Sequence, residues 1–104
     1  MRLPLTTRMR EILIETARAK GVPAHRLVSP GKEKPITRAR RAWFHAMTMA
    51  GYSYSEIGQR AGFDHTSVLY GVREHSMAIY GTAKRAGRAE IEAAYAASQI
   101  EVAA

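Results

Sequence analysis

Residues 53–73 read S-Y-S-E-I-G-Q-R-A-G-F-D-H-T-S-V-L-Y-G-V-R, and the reading of this stretch decides the fold. Ser53 followed three residues later by Glu56 is a capping box, in which the serine hydroxyl accepts from a free helix amide and the glutamate reaches back. Tyr52 before the cap and Ile57 four after it have the spacing of a hydrophobic staple. The helix so started is short, because Gly62 supplies a turn residue nine positions after the cap. Asp64 then stands as the N-cap of a second helix, and Phe63 with Val68 repeats the staple spacing. Two helices joined through a glycine turn, the first about two turns long, make a helix-turn-helix. On the second helix the period turns Val68 and Val72 to the core and leaves His65, Thr66, Leu69, Tyr70 and Arg73 pointing elsewhere.

Upstream, residues 37–50 are predicted as a helix with Ala39, Ala42, Trp43, Ala46, Met47 and Ala50 on its buried stripe, stopped by Gly51. Arg38, Arg40 and Arg41 fall in its first turn, where cations oppose the helix dipole unless an anion such as phosphate is near. A solvated charged face is the alternative reading of these arginines. Residues 29–35, S-P-G-K-E-K-P, read as a loop, since two prolines and a glycine interrupt any ladder. Before it, residues 23–27 allow one helical turn. Residues 6–20 form an amphipathic helix, with Met9, Ile12, Leu13, Thr16 and Ala17 at helical spacing and Gly21 and Pro23 beyond its end. Downstream, residues 83–103 are alanine-rich and helix-like, with Ile91, Ala94 and Tyr95 near one face. The fold class expected is therefore all-α: a domain over residues 1–81 and an extra C-terminal helix or tail over residues 82–104.

A chain of 104 residues with 46% hydrophobic residues suits one small core. Sixteen Lys+Arg against nine Asp+Glu give a net charge of +7, and all of that excess lies in residues 1–81, because residues 82–104 balance three basic against three acidic. The densest run spans residues 32–41, where five basic residues stand against Glu33 alone. Such a balance points to a polyanionic partner, nucleic acid ahead of an acidic protein or a membrane surface. Ribosomal, chaperone-like and merely soluble domains share this composition, so charge by itself leaves the partner open. There is no cysteine, hence no disulfide or thiolate metal site. No apolar run is long enough for a membrane span or a signal peptide.

The 53–73 stretch resembles the signature of the C-terminal DNA-binding domain (domain IV) of the bacterial replication initiator DnaA, which shows S-L-P-E-I-G, a glycine turn and D-H-T-T-V. V-P-A-H-R-L-V-S at residues 22–29 is similar to the family's short helix before a basic loop, and P-I-T-R-A-R-R-A at residues 35–42 is similar to the loop's exit into the R-P-R-Q helix. The resemblance covers roughly residues 9–80 and implies a helix-turn-helix of the DnaA C-terminal, Trp-repressor-like type. The sequence departs from the family at three places. The turn is one residue shorter and holds Phe63 where an arginine is usual; R-P-R-Q is R-A-R-R; and the basic loop is thinned by Pro30, Gly31 and Glu33.

What the resemblance implies is double-stranded DNA binding, with the helix from Asp64 to about His75 entering the major groove N-terminus first. Asp64, His65, Thr66 and Ser67 are then the expected base contacts: a carboxylate for a cytosine amine, an imidazole for a base edge, a threonine methyl for a thymine methyl, and a serine that keeps the hydroxyl alone. Asp64 could equally be occupied in capping its helix. Lys34 falls where the family loop sends an arginine into the adjacent minor groove, with a solvated loop lysine as the alternative. Phosphate contacts are expected from Arg38, Arg40, Arg41, Ser53, Ser55 and Arg73. Six such contacts give a log–log salt slope of about −5.

The leading functional reading is a transcription regulator; a replication-initiation accessory, or a competitor at initiator sites, is the alternative. An interaction module using the C-terminal helix is compatible with both, as a homodimer or with a partner such as RNA polymerase. G-x-x-x-x-G-K-[ST] occurs nowhere, so no nucleotide cofactor and no ATPase module are expected, and the chain reads as the DNA-binding domain standing alone. Catalysis is not expected either, because Asp64, His65 and Ser67 within one helical turn do not reach a relay geometry. His25, His45, His65 and His75 lack metal-ligand spacing with carboxylates. A cytoplasmic, nucleoid-associated location follows from the DNA reading.

Overall fold

The computed structural model describes residues 3–103 and is helical throughout its ordered elements. In chain order they are α1 (Thr7–Lys20), α2 (Ala24–Leu27), α3 (Lys34–Met49), α4 (Tyr54–Ala61), α5 (His65–Tyr80) and α6 (Arg88–Ala103). The all-α expectation holds. Among the described residues no helix is long and apolar enough to cross a membrane.

Helix α1 starts where Thr6 caps it, its hydroxyl accepting from the Met9 amide at 3.1 Å. That hydroxyl also meets the Tyr52 hydroxyl at 2.8 Å, which fixes the start of α1 against the end of α3. Gly21 closes α1 in the left-handed region, φ +68°, where a glycine carries no steric cost. Met9, Ile12, Leu13 and Ala17 are buried as their spacing predicts, whereas Thr16 is half-buried.

Helix α3 is the central element, packed against α1, α2, α4 and α5. Trp43 and Met47 are fully buried, and the Trp43 indole donates to the Met9 carbonyl at 3.3 Å. Here the structure corrects two sequence expectations. The helix begins at Lys34 rather than near residue 37, because Pro35 sits in the first turn, where its missing N–H has no partner to lose. The buried face is also wider than the predicted stripe: Ile36, His45 and Thr48 join it, while Ala50 is exposed. A central helix covered on several sides needs more than one apolar stripe.

Helix α5 runs to Tyr80, one turn and more beyond the predicted end near His75, and stops at Gly81 with φ +71°. Residues 82–87 then form a turn rather than the start of the last helix. Ala86 and Ile91 belong to the main core, so the first turns of α6 are packed on the domain. Arg88 makes the decisive attachment. Its guanidinium donates to the Thr48 carbonyl at 3.0 Å and the Tyr52 carbonyl at 2.9 Å. Helix α3 has no basic residue in its last turn. The cation that neutralises its free C-terminal carbonyls comes instead from α6.

Between α3, α5 and α6 lies a ring cluster: His45 with His75 at 4.6 Å, and His45 with Tyr80 and Tyr95 at 5.5 and 5.6 Å between centroids. His45 is 3% exposed and its Nε2 has no hydrogen-bond partner. Burial pushes its imidazole down to about 4. His75 is likewise lowered to about 4, by burial first and then by His45 and Lys20. Both rings stay neutral in the folded chain while an unfolded histidine takes up a proton near 6.5, so stability is full above that pH and falls as the pH drops toward 4. From pH 7 to pH 5, His45 alone is expected to remove about 2 kcal/mol. Urea unfolding at the two pH values measures it, and His45→Gln is expected to shrink the difference; an unchanged midpoint in the wild type contradicts the assignment.

Candidate nucleic-acid interface

The helix-turn-helix is built by short-range chemistry. Ser53 caps α4, its hydroxyl accepting from the Glu56 amide at 3.0 Å. The reciprocal half of the capping box is absent among the described residues, because the Glu56 carboxylate faces the Arg60 guanidinium at 3.7 Å instead. Gly62 turns the chain at φ +85°, and the Gly58 carbonyl accepts from both Gly62 and Phe63, at 2.9 and 3.0 Å. Phe63, the residue at which the turn departs from its family pattern, is a packing residue: its ring meets Phe44 edge-on at 5.4 Å, and the Arg40 guanidinium lies over it at 5.0 Å. An apolar ring at this place extends the core under the turn.

Val68 and Val72 anchor α5 with no exposure at all. Its first turn is consequently held out from the body, and Asp64, His65, Thr66 and Ser67 are all exposed. Asp64 has the extended backbone of an N-cap, φ −64° and ψ 144°, yet its carboxylate accepts nothing from the helix amides. The sequence left capping and contact as alternatives for this carboxylate; in the structure it is free of its helix. The amides of the first turn therefore also lack a side-chain acceptor, which suits an approaching anion. Beside them the segment at Leu3 and Pro4 lies across α4, held by Arg60 donating to the Pro4 carbonyl at 2.7 Å.

The basic residues divide into two groups that the sequence did not separate. Lys32, Lys34, Thr37, Arg38 and Arg41 line one open cleft of about 330 Å³ at the start of α3. Lys34 is exposed there as the first residue of α3, not as part of a loop. Arg38 and Arg41 also line an adjoining cleft with Lys20, Glu74, His75, Ala78 and Ile79, so the cationic surface continues along α3 toward the end of α1. Lys32 and Lys20 were not singled out by sequence reasoning. Lys32 had its signal in the dense basic run, whereas nothing local connects Lys20 with Arg38.

Arg40 belongs to the other group, and the expected phosphate contact is corrected. It is 8% exposed, and its guanidinium donates to four carbonyls: Leu27 at 2.9 Å, Gly31 at 3.1 Å, Arg26 at 3.2 Å and Ser29 at 2.5 Å. The side chain is the internal clamp of residues 26–31, assisted by the Arg26–Glu33 ion pair. Arg73 is half-buried and donates through Nε to the Ala86 carbonyl at 3.1 Å, which ties the turn after α5 back to that helix. Ser53 and Ser55 remain exposed at the start of α4. No group of three or more His, Cys, Asp or Glu residues placed to hold a metal ion occurs among the described residues.

The family described as "Bacterial dnaA protein helix-turn-helix" matches residues 9–83, which is α1 through α5 and the turn that follows. The chain is 33% identical over 90 residues to the chromosomal replication initiator protein DnaA of Rhizobium johnstonii, an alignment covering 85% of this chain and 19% of that protein. It thus spans about a fifth of that initiator's length. No solved structure matches the chain.

Proposed function

The chain belongs to the bacterial DnaA helix-turn-helix family, a DNA-binding module, and from that premise we propose that it reads duplex DNA sequence-specifically as a transcription regulator. The observation that carries the reading is the first turn of α5: four exposed polar side chains, residues 64–67, on a helix locked to the core by Val68 and Val72. In this reading Asp64, His65, Thr66 and Ser67 meet base edges in the major groove. Lys34 faces the adjacent minor groove, and Arg38, Arg41, Ser53 and Ser55 hold phosphates on either side. We assign the chain no catalytic role, cofactor or nucleotide, and we place it with the nucleoid in the cytoplasm. Helix α6 lies beyond the family match, and its outer face is the surface we assign to a second copy or to a protein partner such as RNA polymerase.

Selection from a random duplex library at about 150 mM salt, which suppresses purely electrostatic binding, tests the proposal. An enriched motif is expected, with His65→Ala and Thr66→Ala each costing roughly 1–3 kcal/mol on that motif and relaxing one position of it. With Lys32, Lys34, Arg38 and Arg41 as the cations in contact, the log–log salt slope is expected near −4, shallower than six contacts give. Equal, salt-sensitive binding of all duplexes by all three proteins contradicts it. The identity to a replication initiator favours a second reading, competition at initiator sites. A motif found at origins rather than upstream of genes selects that one.

A further inference from the structure

Tyr70 is the most exposed aromatic residue of the domain at 60%, and it stands on α5 one turn after Thr66 and Ser67. Among the described residues it has neither a ring partner nor a hydrogen bond. It lines a cleft of about 450 Å³ between the reading helix and the basic loop. One wall is Ser67 and Tyr70 of α5; the other is Lys32 with Thr37 and Arg41 of α3. The floor is apolar, made by Phe44 and Phe63, and α5 lies low over it because Gly71 has no side chain: a Cβ there would stand 3.0 Å from the Phe44 ring.

We propose that this cleft is the seat of one sugar-phosphate strand of the duplex, and that Tyr70 is a DNA-contacting residue closing it. The inference rests on the DNA reading above. A helix in the major groove and a loop in the neighbouring minor groove are separated by one backbone strand, and that strand must pass between the two walls. The chemistry of the cleft matches such an occupant. Lys32 and Arg41 offer charge to the phosphate, and Thr37, Ser67 and Tyr70 offer hydroxyl donors. The Phe44 and Phe63 floor and the Tyr70 ring offer apolar surface to the deoxyribose. A tyrosine suits this place because it presents an apolar body and a polar tip with few rotatable bonds to order.

The test titrates the full chain with the duplex enriched in the selection, over a range of salt, for the wild type, Tyr70→Phe, Tyr70→Ala, Arg41→Ala and His65→Ala. Because Tyr70 is exposed, its variants are expected to melt with the wild type. Tyr70→Ala is expected to weaken binding about tenfold and Tyr70→Phe about threefold, both with the salt slope unchanged, since a neutral side chain releases no counterion. Arg41→Ala is expected to lower the slope by about one. Replacing single phosphates by neutral methylphosphonates is expected to expose one linkage whose loss no longer matters in Tyr70→Phe. Wild-type affinity in Tyr70→Ala alongside weakened His65→Ala overturns the Tyr70 contact and leaves the reading helix in place. Failure of the wild type to prefer any duplex overturns both.

Discussion

Arg40→Ala is expected to cost about 3 kcal/mol of folding stability, a large part of what a domain of this size holds. The guanidinium donates to four carbonyls of residues 26–31 and covers the Phe63 ring, so its removal strands acceptors and opens space under the turn. Each charge-assisted bond contributes roughly 1.5–3 kcal/mol in a buried setting, and partial access of water to these carbonyls returns part of that. Arg40→Lys is expected to recover less than half, because one ammonium cannot span four acceptors that a planar fork reaches together. Duplex affinity is expected to fall about tenfold under conditions where the variant is still folded, through lost placement of Lys32 and Lys34. Denaturant unfolding and a salt titration separate the two roles available to this arginine. A clamp lowers stability, whereas a phosphate contact lowers the salt slope by about one with stability intact.

Gly58→Ala is the second large effect expected, and its direction opposes helix propensity. Alanine in place of glycine inside a helix stabilises by about 1 kcal/mol when nothing else changes. Here the added Cβ would lie 2.5 Å from the Phe63 carbonyl oxygen and 3.2 Å from the His65 amide nitrogen. Both are backbone atoms, so no rotamer change relieves the contact and α4 must move away from the start of α5. Overpacking of this kind costs roughly 1–3 kcal/mol, and a backbone neighbour places it at the top of that range. The displaced α5 is also expected to lose sequence preference before it loses affinity for DNA in general. Gly62→Ala makes the comparison: at φ +85° it carries about 1–2 kcal/mol of left-handed strain. A melting temperature for Gly58→Ala at or above that of the wild type would sink the close-approach account.

These two residues also show where sequence reasoning reached and where it stopped. The need for a glycine at residue 58 lies in the approach of the turn, whose backbone a side chain would meet. The cap at Ser53, the turn at Gly62 and the core positions Val68 and Val72 were legible because each depends on residues within a few positions of itself. Of the exposed row at residues 64–67, the helical period turned His65 and Thr66 outward, and the set of four came from the family resemblance. Arg40 was not, since in sequence it is one of three neighbouring arginines. Position around the helix separates them: Arg38 is exposed and Arg41 half-buried, while Arg40 turns inward beneath the loop.

The sequence by itself determined an all-helical chain, the order of its helices and the position of the helix-turn-helix, because periodicity, caps and glycine turns act over one or two helical turns. Only the tertiary structure decided which cations face outward and which hold the chain together. Arg40 on residues 26–31, Arg73 on Ala86 and Arg88 on the end of α3 find carbonyls 9 to 40 positions away. A guanidinium has the same sequence signature in both roles. What distinguishes them is whether free backbone acceptors lie within its reach, and that depends on how distant segments are brought together.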